Sequence, residues 1–266
     1  DAESNSTSYA LATAGGSAAL VSATKSESKA YVGKSSKKQS AEVFIEADAI
    51  IKAKQDVDLF AYNTGSAEAV IQKGGSYSIG SVSSSSLPTS SHYDTYAGVK
   101  DGCSVTADGN INIRAQDYAK ARSDAKDTSM GFGINIATTY GSNTIDCVMK
   151  VGVGASKLFA TESVLIQADS NAYMYALTHA SVGSFFFGSG NMQAKNSLTR
   201  TVTADILSGA DIEADFGTLT IKAVGGASDD ITTTARCDSS GFVAIGDSRA
   251  YTDVSMTAKA NIAIGA

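Results

Sequence analysis

One phrase recurs along this chain at a nearly constant spacing, and it restricts the fold more than any single motif. VDLFAY (57–62), INIRAQ (111–116), VLIQAD (164–169) and LTIKAV (219–224) share an apolar–x–apolar–x–Ala frame. Their alanines are Ala61, Ala115, Ala168 and Ala223, so the steps are 54, 53 and 55 residues. A second echo stands eight or nine residues upstream, ending at Ala53 (IKA), Ala107 (VTA), Ala160 (LFA) and Ala214 (IEA). Self-similarity at a fixed period marks a stacked-repeat architecture, in which each unit covers its apolar face only against its neighbours. Such a chain points to a scaffold or a contact surface before it points to an enzyme with one unique cleft.

Within a unit the period is two. After Asn110, positions Ile111, Ile113, Ala115, Asp117, Ala119, Ala121, Ser123 and Ala125 are mostly apolar or small. The intervening Asn112, Arg114, Gln116, Tyr118, Lys120 and Arg122 are polar or large. This is strand alternation with one buried face, not the spacing of a helix. It resumes through Ile134 and Ile136 and again near Val151 and Val153, with glycines where a strand corner must turn without a Cβ in the way. The stretch nearest to a helical pattern, residues 22–30, alternates too. Residues 83–91 form a Ser-rich low-complexity run that reads as a bulged corner or mobile loop carrying Pro88, the single proline.

This grammar predicts an all-β fold: a parallel β-solenoid (β-helix) occupying residues 1–266 as one domain. Its approximate repeats are 1–45, 46–99, 100–153, 154–208 and 209–266. Two coil sizes fit. A slim coil of about 20 residues would place two or three turns in each repeat, whereas a broad coil would make each repeat of about 54 residues one turn with two long sides and a short one. The slim form should leave a sub-period of about 18 or 20 residues, and none is found. The unbroken alternation from Ile111 to Ala125 also needs a long side, so we favour the broad coil. Small inward residues let facing sheets approach closely, while Ile, Leu and Val at the VTA and INI corners thicken the core.

Composition narrows the partners. Hydrophobic content of 43% with alternating β-branched residues is unlike a solvated coil. The formal charge of −6 argues against nucleic acid, whose phosphates call for clustered Lys and Arg. The one basic cluster, KSSKK (34–38), reads as a solvated turn. No run of about 18 apolar residues appears, so no membrane insertion is expected in this segment. The chain starts at Asp1 without a signal-peptide pattern and stops in mid-alternation at IAIGA, so both ends read as cuts through a longer protein. Cys103, Cys147 and Cys237 are scattered and form no C-x-x-C pair; they read as small buried fillers, not a disulfide framework or a zinc site.

Candidates for chemistry are few. Hydrolysis would need paired carboxylates or a nucleophile with its base. His92, beside Asp94 in SSHYD, is the best single candidate, set against a plain reading as part of a polar loop. His179 falls at a strand position and reads as a half-exposed flank residue. Asp56 and Asp58 lie two apart on one strand face, as paired carboxylates of some β-helix lyases do, but the other units do not repeat them. Neither G-x-S-x-G nor H-E-x-x-H occurs, and GGASDD (225–230) only echoes the calcium-binding nonapeptide. In FFF (185–187), Phe185 and Phe187 share one face and Phe186 the other; the expected place is a thick core corner with at least one ring outside. No catalytic, cofactor-binding or metal-ligating residue is nominated.

The run SVTADGNINIRAQDYAKA (104–121), followed by glycine-rich alternation and VGVGAS (151–156), resembles the repeat of large filamentous bacterial adhesins of the leukotoxin-like and haemagglutinin-repeat kind. In residues 76–95 this chain carries Ser where that grammar has Ala, Val or Gly. The resemblance implies a secreted β-solenoid at the bacterial cell surface, with an adhesive or filament-forming role and no catalytic residues to carry over. The expected partners are neighbouring copies or repeats, joined end to end or laterally, and host or microbial surface glycans or proteins. A β-helix enzyme acting on polysaccharide and a flat-faced carbohydrate-binding module are the alternatives.

Overall fold

Alternation becomes strand almost everywhere. The computed structural model describes residues 2–14, 18–73, 76–263 and 265, and among them there is no helix. The first unit holds β1 (Ala2–Ala14), β2 (Ala18–Glu27), β3 (Ala30–Val32) and β4 (Gln39–Ile45). The second holds β5 (Ile50–Ala53), β6 (Val57–Lys73) and β7 (Ser76–Val99); the third holds β8 (Ser104–Ala107) and β9 (Ile111–Val153). The fourth is β10 (Lys157–Ala160), β11 (Val164–Ser184) and β12 (Phe187–Ile206). The last is β13 (Asp211–Ala214), β14 (Leu219–Gly225), β15 (Asp230–Ser240) and β16 (Val243–Ile262).

Pairing between these strands is parallel, and it joins residues just over fifty positions apart. In the front wall β1, β6, the first half of β9, β11 and then β14 with β15 lie side by side. There Ala61 is in register with Ala115, Ala115 with Ala168, and Ala168 with Ala223. In the back wall β2, β3 and β4 line up on β7, which pairs with the second half of β9, then β12 and β16. A separate four-stranded floor orders β13-β10-β8-β5 and aligns Ala53, Ala107, Ala160 and Ala214. The architecture is all-β and largely parallel, compatible with a β-helix or solenoid.

The interior is graded from floor to fold line. Beside the floor it is filled by Val105, Ile111, Ile113, Val151, Val153 and Ile166, all buried. Farther along, the walls close on smaller residues such as Ala69, Ala119, Ala121 and Ala172 around the ring of Tyr93. Near the line where front wall becomes back wall, the inward side chains turn polar in the second and third units, whereas the fourth buries Val182 and Met192. Ser81 bonds Ser129 (2.6 Å) and Asn135 (2.8 Å), and Ser83 bonds Asp127 (3.0 Å). Between these regions Thr89 donates to Asn143 (2.6 Å), whose amide donates to Asn196 (2.8 Å) one layer on. β9 runs unbroken through the fold line, where a Cβ on Gly131 would overlap the Ser78 carbonyl oxygen and one on Gly133 that of Ile79. Glycine is needed there because adjacent backbones approach too closely for any side chain.

Two expectations change. Residues 83–91 are not a loop; they lie inside β7, paired in register with β9. The missing N–H of Pro88 is tolerated for a specific reason. The Ser86 carbonyl accepts from the Ser28 N–H, so even-numbered groups of β7 face the first unit. Pro88 therefore faces the interruption between β2 and β3, where it supplies no N–H to the ladder and pairing resumes at Ala30. The phenylalanines also differ: Phe185 and Phe186 lie exposed at the fold line, not in a core corner, because the interior of their unit is already filled by Ala180, Val182 and Met192.

Candidate functional site: the outer surface of the front wall

The outward positions of the front wall place unlike residues beside one another in neighbouring layers. Arg114 aligns with Phe60 and Gln167, Lys120 with Tyr173, and Arg122 with Glu68 and Tyr175. Strand side chains stand roughly perpendicular to the sheet, so these cross-strand neighbours touch. The Arg114 guanidinium lies 5.0 Å from the Phe60 ring centre, Lys120 Nζ 5.6 Å from that of Tyr173, and Arg122 5.5 Å from that of Tyr175. Phe60 and Tyr62 stack at 5.8 Å. Cation–ring contacts of this kind hold the basic side chains flat along the wall.

Arg122 is the most fixed of the cations, bonded to Glu68 (2.8 Å) and Asp124 (2.9 Å). Partial burial works against its charge, but the bond to Asp124 and the Glu68 carboxylate outweigh that and raise its pKa. The Tyr173 hydroxyl is also shifted upward, by partial burial and by Asp230. Below these rings, Phe60, Arg114, Gln116, Gln167 and Asp169 line a shallow depression. Flat aromatic faces bordered by amide, guanidinium and carboxylate groups suit a ligand with apolar faces and polar rims.

A second group of charged residues lies inside. Asp117 is buried and accepts from Ser170 (2.6 Å), while its other carboxylate oxygen has no hydrogen-bond partner. Burial pushes its pKa up to about 7, against the opposing pull of Ser170 and Arg200. Arg200 is buried too, and it grips Asp229 through two bonds of 2.9 and 3.0 Å. Burial opposes the Arg200 charge, yet the Asp229 bond raises its pKa. Cys147 lies beside them; burial first, then the Asp117 carboxylate, pushes its thiol up to about 12. A thiol that reluctant to ionise is no nucleophile at neutral pH.

The residues singled out by sequence fall elsewhere. His92 lies on β7, not in a loop, with Nδ1 3.5 Å from Asp146, and Lys38 bridges Asp146 (3.1 Å) and Asp94 (3.3 Å). Residues 34–37 make a tight turn closed by Lys34–Lys37 backbone bonds. His179, on β11, bonds Asp238 (3.0 Å). Asp56 stands just before β6 and accepts from the Asn110 backbone and side chain, whereas Asp58 accepts from Asn112. These pairs are brought together across layers, but His92 and His179 are on different walls. Cys103 and Cys147 are buried and Cys237 is partly exposed. Among the described residues no group of three or more His, Cys, Asp or Glu is placed to hold a metal ion, and no helix is long and apolar enough to cross a membrane.

The alternation marks the outward Arg114, Lys120 and Arg122 as polar but does not by itself reveal their pairing with rings of neighbouring units. The usable signal was equivalence between units: Arg122 and Tyr175 occupy matching positions of successive repeats. Arg200 was missed as well, although its phase with Leu198 and Val202 marks an inward position. No family model, no curated protein and no solved structure matches the chain.

Proposed function

We propose that this chain is a parallel β-solenoid with one repeat of about 54 residues per broad coil, and that it serves as a non-catalytic structural and adhesive segment of a very long extracellular protein of the bacterial surface. The observation that carries the reading is the register. Equivalent residues of five successive units adjoin one another in each wall, joined by main-chain bonds from layer to layer. Five coils at about 4.8 Å make a slab about 25 Å along its axis, with wide flanks for repeated weak contacts. His179 is bonded to Asp238, and Cys103 and Cys147 are enclosed, which supports a contact surface over a catalytic centre.

The front wall is the adhesive flank in this reading, and surface glycans are its partner. Sugar rings present apolar faces to Phe60, Tyr62 and Tyr173, and hydroxyls to Arg114, Gln116 and Asp169. A glycan array probed with the chain and with Arg114→Ala/Tyr173→Ala tests it. Retention of particular glycans by the unaltered chain, with at least tenfold weaker retention by the double variant, is expected. Equal retention of every glycan by both proteins, or of none, removes the front wall as a glycan site.

A further inference from the structure

The fold line carries an exposed apolar ridge, one residue from every unit. Leu20 is aligned with Ile79 between the register pairs Ala19–Ser78 and Val21–Gly80. The Phe185 and Phe242 backbones each bond to the preceding layer at the same bend, and Phe132 stacks on Phe185 with ring centres 4.9 Å apart. The exposures of Leu20, Ile79, Phe132, Phe185 and Phe242 are 75, 52, 57, 62 and 89%. Phe186 packs edge-on against both Phe132 and Phe185, at 5.2 and 5.1 Å, so the aromatic half of the ridge is already braced. On the adjoining back wall, Val82, Ile134, Val243 and Ile245 are also exposed.

Polarity is inverted at this edge. In the second and third units its interior is Ser81, Ser83, Asp127 and Asn135, joined in the fourth by Val182 and Met192, while its exterior is Leu, Ile and Phe. The strip is also free of charge: no Asp, Glu, Lys or Arg occurs in residues 74–93, 128–145, 181–194 or 239–246. At about 200 Å² for a large side chain, the five ridge residues leave roughly 670 Å² exposed, and the four flanking residues add about 410 Å². Monomers rarely expose a contiguous apolar patch above about 300–600 Å², whereas one side of a standard interface covers about 800 Å².

We infer that the ridge is a lateral interface with a second copy of this chain, the two ridges crossing antiparallel about a two-fold axis at Phe132. In that arrangement Leu20 meets the partner's Phe242, Ile79 meets the partner's Phe185, and Phe132 meets its own counterpart. The aliphatic half of each ridge covers the aromatic half of the other, and both share the same rise of about 4.8 Å per layer. A glycan fits poorly, because the ridge side chains offer its hydroxyls no hydrogen bonds. An anionic bilayer fits poorly as well, since the strip has no cation and the chain carries a formal charge of −6. The inference specifies the lateral partner within the proposed solenoid, and it is independent of the front wall's glycan role.

Sedimentation equilibrium of the 266-residue chain and of Phe132→Asp/Phe185→Asp tests it. The unaltered chain is expected at twice its 27.2 kDa mass and the double variant at 27.2 kDa, with the same far-ultraviolet circular dichroism. Should the aspartates disturb folding, Phe132→Ser/Phe185→Ser replaces them in the same measurement. In a Cys237→Ser background, Phe132→Cys should cross-link to its counterpart on oxidation, whereas Tyr118→Cys on the front wall should not. A monomeric unaltered chain overturns the inference. So does a dimer that survives loss of both rings, which would be an end-to-end one. Ring-dependent binding of the monomer to phosphatidylcholine vesicles would make a bilayer the occupant instead and would also overturn it. None of these outcomes depends on the glycan array, so the two readings fail separately.

Discussion

Replacing Asp117 by Asn should stabilise the protein in alkaline solution and leave it little changed in strong acid. Asp117 is enclosed between the walls, and burial raises its pKa from the ordinary 3.8 to about 7. The folded state therefore holds a proton on this carboxyl over a range where the unfolded chain has released it. Stability from this group is greatest below about pH 4, declines between about 4 and 7, and levels off above. At about 1.4 kcal/mol for each pH unit between the two values, the ionised carboxylate costs the fold roughly 4 kcal/mol by pH 8. That is a large share of the about 5–15 kcal/mol typical of a domain. An amide suits the site: Asn63 occupies the register position one layer earlier and is buried there. The carbonyl oxygen of the introduced amide keeps the Ser170 bond, and Arg200 keeps its Asp229 partner. Urea unfolding of both proteins at pH 5 and pH 8 measures the difference, and comparing the two at each pH cancels every group they share. We expect a gain for the variant of about 1.6 kcal/mol at pH 5, rising to about 4 kcal/mol at pH 8. A variant equally or less stable at pH 8 would refute the argument that burial dominates this carboxyl.

Two further outcomes follow from the packing. Gly65→Ala should cost about 2–4 kcal/mol, because the new Cβ would sit 2.7 Å from the Tyr93 hydroxyl and displace its buried bond to the Gly65 carbonyl (2.9 Å). Tyr93→Phe, which deletes only that bond, should cost about 1 kcal/mol, and thermal melts of the two variants compare them. In the folded protein iodoacetamide should modify Cys237 first, leaving Cys103 and Cys147 until denaturant is added, since the last two are buried and the Cys147 thiol is pushed up to about 12. Peptide mass spectrometry reads the order, and modification of Cys147 at the rate of Cys237 would contradict the structure.

Strand, face and register were legible where inward positions are apolar. Every odd position from Ile111 to Ala125 is buried, including Asp117 and Ser123, because alternation sets the phase even for residues that break its polarity. The alanine phrase brought Ala61, Ala115, Ala168 and Ala223 into one frame, and these residues adjoin in register. Legibility fails toward the fold line. Ser81, Ser83 and Ser85 point inward with no apolar signal, so a strand there reads as low complexity, and the exposed phenylalanines read as core. Hydrophobic patterning reports burial only where burial is apolar. In the second and third units, short polar side chains bonding each other fill that space between the walls.

That polar interior also explains how a chain of such repetitive composition holds one register. A slip of two residues between layers keeps every inward side chain inward, so it escapes the penalty that a one-residue slip incurs. Ladders of Ala, Ser and Gly would resist it weakly, since such residues exchange with little change in packing. The amides resist it strongly. Asn143 accepts from Thr89 and donates to Asn196, and Asn196 donates to the Thr232 carbonyl and the Thr233 hydroxyl. Sliding either neighbour by two positions leaves a buried amide unpaired at about 1–3 kcal/mol for each group. Arg200 adds a stronger constraint, since its buried guanidinium donates two hydrogen bonds to Asp229 in the next layer. The apolar floor drives collapse, and the few buried polar groups select which collapsed alignment is native.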